Sequence, residues 1–379
     1  MKKIPYGKQD ICRDDIIAVI KALKSDFLTT GPKIKEFEER FANFVNAKYA
    51  VAVSSGTAAL HLACLVAGLK RNDELITSPM TFAASANCAL YCDAKPIFAD
   101  IKENGLINEK LIEEKITSKT KIIIPVHYGG LPCNMEKIRK IADKHNLIVI
   151  EDACHALGSE YQKTKTGDCA YSDMSIFSLH PVKHITTGEG GVITTNSKAF
   201  YEKLLLLRTH GITKASNKLI NEKEGPWYHE MQELGFNYRI TDLQCALGIS
   251  QLKRASRFIK KRIEIAKRYN NAFSKNKNIQ IITPSKKLKN AYHLYIIKAK
   301  DQKTRFNLFN YLKENDILCQ VHYIPVYLHP YYQKLGYKKN LCPMAEKFYE
   351  RIISIPIYPR LKKSEQNRVI KTINGFHAE

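Results

Sequence analysis

Long apolar runs are missing from this chain of 379 residues. None approaches the roughly 20 consecutive residues that a membrane-crossing helix needs. The opening stretch, MKKIPYGKQDIC, has two lysines but no apolar core behind them, so no secretory signal is expected and the chain is read as cytoplasmic. C-x-x-C spacing is absent as well. The ten cysteines are scattered, which argues against metal knuckles and paired thiols and predicts free, mostly buried thiols in a reducing compartment. Cys88 and Cys92 are expected as two small buried residues on one helix. The G-K-[ST] ending of a phosphate-binding loop is missing after SSGTAA, and neither that stretch nor GEGG fits G-x-G-x-x-G. Acidic residues are in deficit, 37 against 60 basic, for a formal charge of +23. Yet the basic runs KKRIEIAKRYNNAFSKNKN and TPSKKLKN lack aromatic interleaving or a helix-turn-helix pattern. They read as solvated faces, so nucleic acid is not an expected partner, whereas phosphorylated small molecules would be attracted.

What is present is the mixture of a globular protein, 44% hydrophobic and 26% charged, long enough for two domains. Ile34, Phe37, Phe41 and Phe44 fall on one helical stripe after Pro32, with Gly31 as the break before it. YAVAVSS then reads as a buried strand leading into a helix, GTAALHLACLVAGL. Short apolar runs (ELITSPM, KPIFADI, TKIIIPV, LIVIEDAC) alternate with helical patterns, the signature of a mostly parallel sheet with crossover helices. Past about residue 240 a basic helical region leads to HLYIIKAK, TRFNLFNYLKEND and ILCQVHYIP, read as a strand, a helix and a further short strand. The expected division is 1–245, an N-terminal segment and large domain, and 246–379, a smaller α/β domain. The first thirty residues are expected to pack on the latter or to cross to a partner subunit.

Ligands of open α/β sheets gather at the carboxyl ends of strands. Three such ends carry chemistry. In VAVSSGTAAL, Ser54, Ser55, Gly56 and Thr57 open a helix whose free N–H groups suit a phosphate, though this stretch alone favours an ordinary Ser/Thr N-cap. In LIVIEDACHALG, four apolar residues deliver Glu151 and Asp152 to a central strand end. Asp152 is either a cap or a buried carboxylate that needs a cationic partner, in the protein or on a ligand ring. His155 could meet the same ligand, although a lone histidine is more often structural. In SIFSLHPVK, Pro181 forces the chain out of the sheet and presents Lys183 from a loop shortly after Ser178. A lysine held near buried surface can lose its proton and attack carbonyl carbon. A phosphate cradle, a buried aspartate and a nucleophilic lysine are together the set that pyridoxal 5'-phosphate requires.

The segments SDFLTTGPKIKEFEERFA, SSGTAALHLA, SPMTFAASANC, PVHYGG, EDACHALG, SLHPVKHITTGEGGVI, GFNYRITDLQCALGISQL and HYIPVYLHPYY, spread over nearly the whole chain, resemble the DegT/DnrJ/EryC1/StrS group of pyridoxal-phosphate aminotransferases acting on nucleotide-linked keto sugars. The resemblance implies the fold-type I architecture, a mostly parallel seven-stranded sheet flanked by helices plus a smaller C-terminal α/β domain. It makes Lys183 the Schiff-base lysine and Asp152 the partner of the pyridinium nitrogen. His155, standing where the family commonly has glutamine, would contact the phenolic oxygen. Gly56, Thr57 and Ser178 would hold the phosphate, Phe82 would stack on the ring, and Asn237 would reach the phosphate from the neighbouring subunit of a homodimer. Tyr6, Asp26, Phe27, Leu28, Thr29 and His322 match segments around the sugar-nucleotide site. Within the family the chain is similar to the pseudaminic acid branch, implying transfer of an amino group from L-glutamate to C4 of a UDP-4-keto-6-deoxy-N-acetylhexosamine.

Related sugar dehydratases carry histidine where the transaminases have the cofactor lysine. Lysine at 183, with His184 after it, therefore favours transamination. Another nucleotide-linked keto sugar remains an alternative substrate. A non-catalytic sugar-nucleotide-binding regulator would be marked by loss of Lys183 or Asp152, and both are present.

Overall fold

Helix Pro32–Val45 forms where the apolar stripe predicts it, with Ile34, Phe37 and Phe41 buried and Phe44 at the edge. Asn46, in the left-handed region at φ 69°, ends it. The computed structural model describes residues 2–377 apart from 222, 223, 284, 286 and 287. Pro284, Lys286 and Lys287 of the basic run TPSKKLKN thus lie outside the described residues.

Across the main sheet the seven strands follow the order Tyr49–Val53, Gly191–Thr195, Met174–Ser178, Ile148–Asp152, Thr120–Ile124, Glu74–Thr77 and Lys95–Phe98. Only Gly191–Thr195 opposes its neighbours; the other six strands share one direction. One edge of the sheet therefore collects the carboxyl ends Val53, Thr77, Asp152 and Ser178 together with the amino end Gly191. Both faces are covered, as the apolar runs require. Val53, Ile122, Ile150, Ile176 and Ile193 pack under helices Gly56–Val66 and Lys198–Arg208, and Ile76, Ile123 and Val149 face the other layer. Each such side chain contributes about 1.5–3 kcal/mol by leaving water.

A second, antiparallel sheet has Tyr295–Ala299 between Ile279–Ile281 and Ile352–Ile355. Ile297 and Ile353 point toward helices Ala255–Phe273, Gln302–Glu314 and Lys363–Asn374, while Ile296 and Ile352 join Ile76, Phe98 and Tyr128 in a core shared with the first sheet. The stretch ILCQVHYIP departs from expectation. It makes isolated bridges only, Ile317 to Ile4 and Gln320 to Ser354, because the chain then leaves the sheet and Val326 N–H binds Pro79 O. Cys88 lies in helix Ala84–Leu90, whereas Cys92 falls just beyond its end; both are buried. The N-terminal residues touch both layers: Ile4 joins Ile317, and Asp15 in helix Arg13–Leu23 accepts from Ser250, Gln251 and Arg254. Among the described residues no helix is long and apolar enough to cross a membrane.

Candidate active site

At the collecting edge of the sheet lies a cavity of about 550 Å³. Ser55 caps helix Gly56–Val66, accepting from Ala58 N–H at 3.0 Å. The cap and phosphate readings are thus compatible, because Gly56 and Thr57 line the cavity and their N–H groups find no protein acceptor among the described residues. The helix dipole adds positive potential there. Gly56 is needed for close approach: a Cβ on it would stand 3.0 Å from Ser178 Cβ. Gly191 presses on the same turn, where a Cβ would meet Ser55 O at 2.3 Å.

Asp152 is 5% exposed at the end of its strand. Oδ2 accepts from Ser85 Oγ at 2.5 Å and Oδ1 from Cys154 N–H at 3.1 Å. Ser85 is steadied in turn by Thr81, hydroxyl to hydroxyl at 2.7 Å. No cationic side chain of the protein pairs with Asp152 among the described residues, so this buried carboxylate lacks the counter-charge that burial calls for.

Lys183 hangs from the loop between Met174–Ser178 and Gly191–Thr195. Its backbone is tied back to His180 O at 2.9 Å, while its amine makes no hydrogen bond or ion pair among the described residues. The side chain lines the cavity. Desolvation lowers its pKa below the ordinary lysine value and the Arg262 charge adds to this, against the opposing pull of Cys154 and Asp152. An amine that deprotonates more readily is the nucleophile that covalent capture of an aldehyde requires.

His155 accepts Gly129 N–H at its Nδ1, 3.3 Å away, and meets the Tyr323 hydroxyl at Nε2, 3.1 Å away. Burial, followed by the charges of Lys183, His322 and His184, holds it neutral, far below the usual histidine value. His322 binds Ser354 Oγ through Nδ1 at 2.9 Å, lies 5.4 Å from the Tyr6 ring, and is pushed down to about 4 by burial and then by Lys183.

One wall thus unites Tyr6, Gly56, Thr57, Phe82, Asp152, His155, Ser178, Lys183 and His322 from the sequence reading. Asp26, Phe27, Leu28, Thr29 and Asn237 do not reach it; they are exposed, the first four beside the Asp242 carboxylate that accepts Gly31 and Lys33 N–H at 2.7 and 2.9 Å. Sequence reasoning missed Thr81, Ser85, Glu189, His293 and Tyr323, which also line the cavity. Glu189 arrives because the antiparallel strand Gly191–Thr195, which it precedes, starts at this edge. Tyr323 was signalled only by its place beside His322 in HYIP.

The unpaired carboxylate, the free amine and the donors at a glycine-lined helix start fit pyridoxal phosphate, with Asp152 for its ring nitrogen, Lys183 for its aldehyde and Gly56, Thr57 and Ser178 for its phosphate. Comparison with known proteins agrees. Residues 9–374 match the DegT/DnrJ/EryC1/StrS aminotransferase family. The spore coat polysaccharide biosynthesis protein SpsC of Bacillus subtilis is 40% identical, covering 98% of this chain and 97% of that protein. The UDP-4-amino-4,6-dideoxy-N-acetyl-beta-L-altrosamine transaminase of Campylobacter jejuni is also 40% identical, covering 98% and 96%. Helicobacter pylori PseC, described as an aminotransferase involved in the biosynthesis of pseudoaminic acid, superposes with a TM-score of 0.91 at 34% identity over 98% of both chains. The chain belongs to the DegT/DnrJ/EryC1/StrS aminotransferase family and is a pyridoxal-phosphate-dependent enzyme.

Proposed function

We propose that this protein moves an amino group from L-glutamate to C4 of a UDP-linked 4-keto-6-deoxy-N-acetylhexosamine, on the route to pseudaminic acid, as a cytoplasmic homodimer. The observation that carries the aminotransfer is that the Lys183 amine, without a hydrogen-bond or ion-pair partner among the described residues, shares one cavity with the Asp152 carboxylate, which has no cationic partner among them. The choice of sugar is supported by the likeness to the Campylobacter jejuni transaminase and the Helicobacter pylori aminotransferase.

Pyridoxal phosphate, when bound, supplies an electron sink for the carbon that loses its proton. Gly56, Thr57 and Ser178 hold its phosphate, and Phe82 covers its ring. Asp152, fixed in place by Ser85 Oγ and Cys154 N–H, would hold the proton on the ring nitrogen. Lys183 Nζ removes the Cα proton of the amino donor in one half of the cycle and delivers a proton to C4 of the sugar in the other. Proton transfer by a positioned group is worth about 10²–10⁴-fold. The lowered pKa of Lys183 raises the share of free amine available as base at neutral pH.

Asn237 and the exposed Phe27 and Leu28 stand away from their own cavity, which supports the reading that they complete the site of a second copy. The basic excess favours capture of a diphosphate. A second substrate reading, another nucleotide-linked keto sugar, is favoured by the equal identity to the spore coat protein.

The test is the visible spectrum of the protein supplied with pyridoxal phosphate, before and after glutamate, followed by NMR of the product formed from the UDP-4-keto sugar. A yellow band that glutamate bleaches, with an amino group appearing at C4, is the expected result. Bleaching without reaction of that sugar would move the substrate to the alternative; failure to colour would remove the aminotransferase reading.

A further inference from the structure

The motif HYGG, residues 127–130, has no role in the mechanism above, yet it touches the site through one peptide. Gly129 N–H donates to His155 Nδ1 at 3.3 Å, and Gly129 O accepts Leu294 N–H at 3.2 Å. Gly129 and Gly130 both take positive φ, 65° and 101°, and a Cβ on Gly130 would meet Asn290 Oδ1 and His155 O at 2.8 Å. Ser159 Oγ closes the same joint, donating to Gly130 O at 2.6 Å and accepting Ala291 N–H at 3.0 Å.

Next to Leu294 stands His293. Its ring centroid is 4.3 Å from that of His155, tilted by 38°, the shortest ring separation among the described residues. His293 is 4% exposed and lines the cavity, its Nδ1 is buried without a partner, and its side chain makes no hydrogen bond among the described residues. Its backbone, by contrast, is held firmly. Arg262, 1% exposed, donates through Nη1 to Tyr292 O and His293 O at 3.2 Å and to Ile357 O at 2.9 Å.

We propose that His293 is a positioning residue: its ring sets the plane of His155, and the Gly129–Leu294 hydrogen bond beside it sets the tautomer, so that His155 carries its one proton on Nε2, toward the cavity. With Nδ1 occupied as an acceptor, Nε2–H is the only donor His155 has, and here it donates to the Tyr323 hydroxyl oxygen at 3.1 Å. The cavity side of His155 is thus a fixed donor suited to an anionic oxygen, which on the functional reading above is the cofactor's phenolic oxygen. The inference rests on that reading only for the identity of the acceptor.

Two measurements separate the inference from the reading it rests on. Nitrogen-15 NMR of histidine-labelled, cofactor-free protein reads the tautomer directly, the His155 signals among those of the twelve histidines being the ones lost in His155→Gln. The expected result is a single form of His155 protonated at Nε2; a proton on Nδ1 would overturn the proposal whether or not the protein binds pyridoxal phosphate. The second compares His293→Leu, which keeps bulk but loses the flat ring, with His293→Phe, which keeps the ring face. His293→Leu should mix the tautomers of His155 and weaken pyridoxal phosphate binding roughly tenfold, the scale of one well-placed hydrogen bond. His293→Phe should restore both. A leucine variant with unchanged tautomer and dissociation constant would overturn the role of His293.

Discussion

Ser85 and Asp152, 67 positions apart in the chain, meet through a 2.5 Å hydrogen bond at the floor of the cavity. The pair fixes the orientation of a buried carboxylate that has no cationic side-chain partner among the described residues. Ser85→Ala should leave the fold intact and cut kcat about tenfold or more, while Asp152→Asn should cost on the order of 10³-fold, since one removes a support and the other the charge itself. Steady-state kinetics check both. Equal losses would mean that the serine, not the carboxylate, carries the effect.

Lys183→Ala should abolish turnover and the yellow band together, at unchanged melting temperature, because the amine has no hydrogen-bond or ion-pair partner among the described residues to lose. The check is absorbance alongside thermal unfolding. A variant that turns over at more than about a hundredth of the wild-type rate would remove Lys183 from the proton steps.

Gly56→Ala tests the phosphate cradle. The added methyl would sit 3.0 Å from Ser178 Cβ, on the side where the phosphate is expected. The dissociation constant for pyridoxal phosphate should rise about tenfold, equivalent to about 1.4 kcal/mol, with the melting point within a few degrees of wild type. Unchanged affinity would place the phosphate elsewhere.

Shared sites predict complementation. Lys183→Ala and Asn237→Ala, each close to inactive alone, should recover part of the wild-type activity when mixed under conditions that let subunits exchange, because a hybrid dimer holds one intact site. Absence of any recovery, with exchange confirmed by native mass spectrometry, would assign Asn237 to its own chain's surface.

Stability should depend on pH through the buried histidines. Burial holds His155, His184 and His293 well below the ordinary value of about 6.5. The folded state therefore binds fewer protons than the unfolded chain once pH drops below that value, and stability falls as pH falls. Each histidine contributes about 1.4 kcal/mol per pH unit in that window. Urea unfolding of the cofactor-free protein at pH 7 and pH 5 should show a loss of several kcal/mol; a flat profile would mean these rings are charged or hydrated in the fold.

Much of the site could be read from residues that lie just past strand ends, because apolar runs announce where a strand stops and which polar group it delivers. Lys183, Asp152 and Gly56 were found in that way. Ser85, His293 and Tyr323 were not, since nothing local marks them: Ser85 opens a short helix, and His293 and Tyr323 come from the second sheet's side of the molecule. ILCQVHYIP looked like a strand because its composition is strand-like. Its bridges at Ile317 and Gln320 are interrupted so that His322 and Tyr323 can face the cavity, where Tyr128 hydroxyl holds His322 O. Helix Pro32–Val45 was legible in full because one periodic stripe decides it.

The solitary opposing strand, Gly191–Thr195, has a further consequence. Ser178 is paired with Gly191, so the segment bearing Lys183 is tethered at both ends to the sheet. Whatever travel the reaction demands of this lysine is left to its flexible four-carbon stem. The frame stays still and a single arm swings, so each cycle begins with the amine already at the place it must return to.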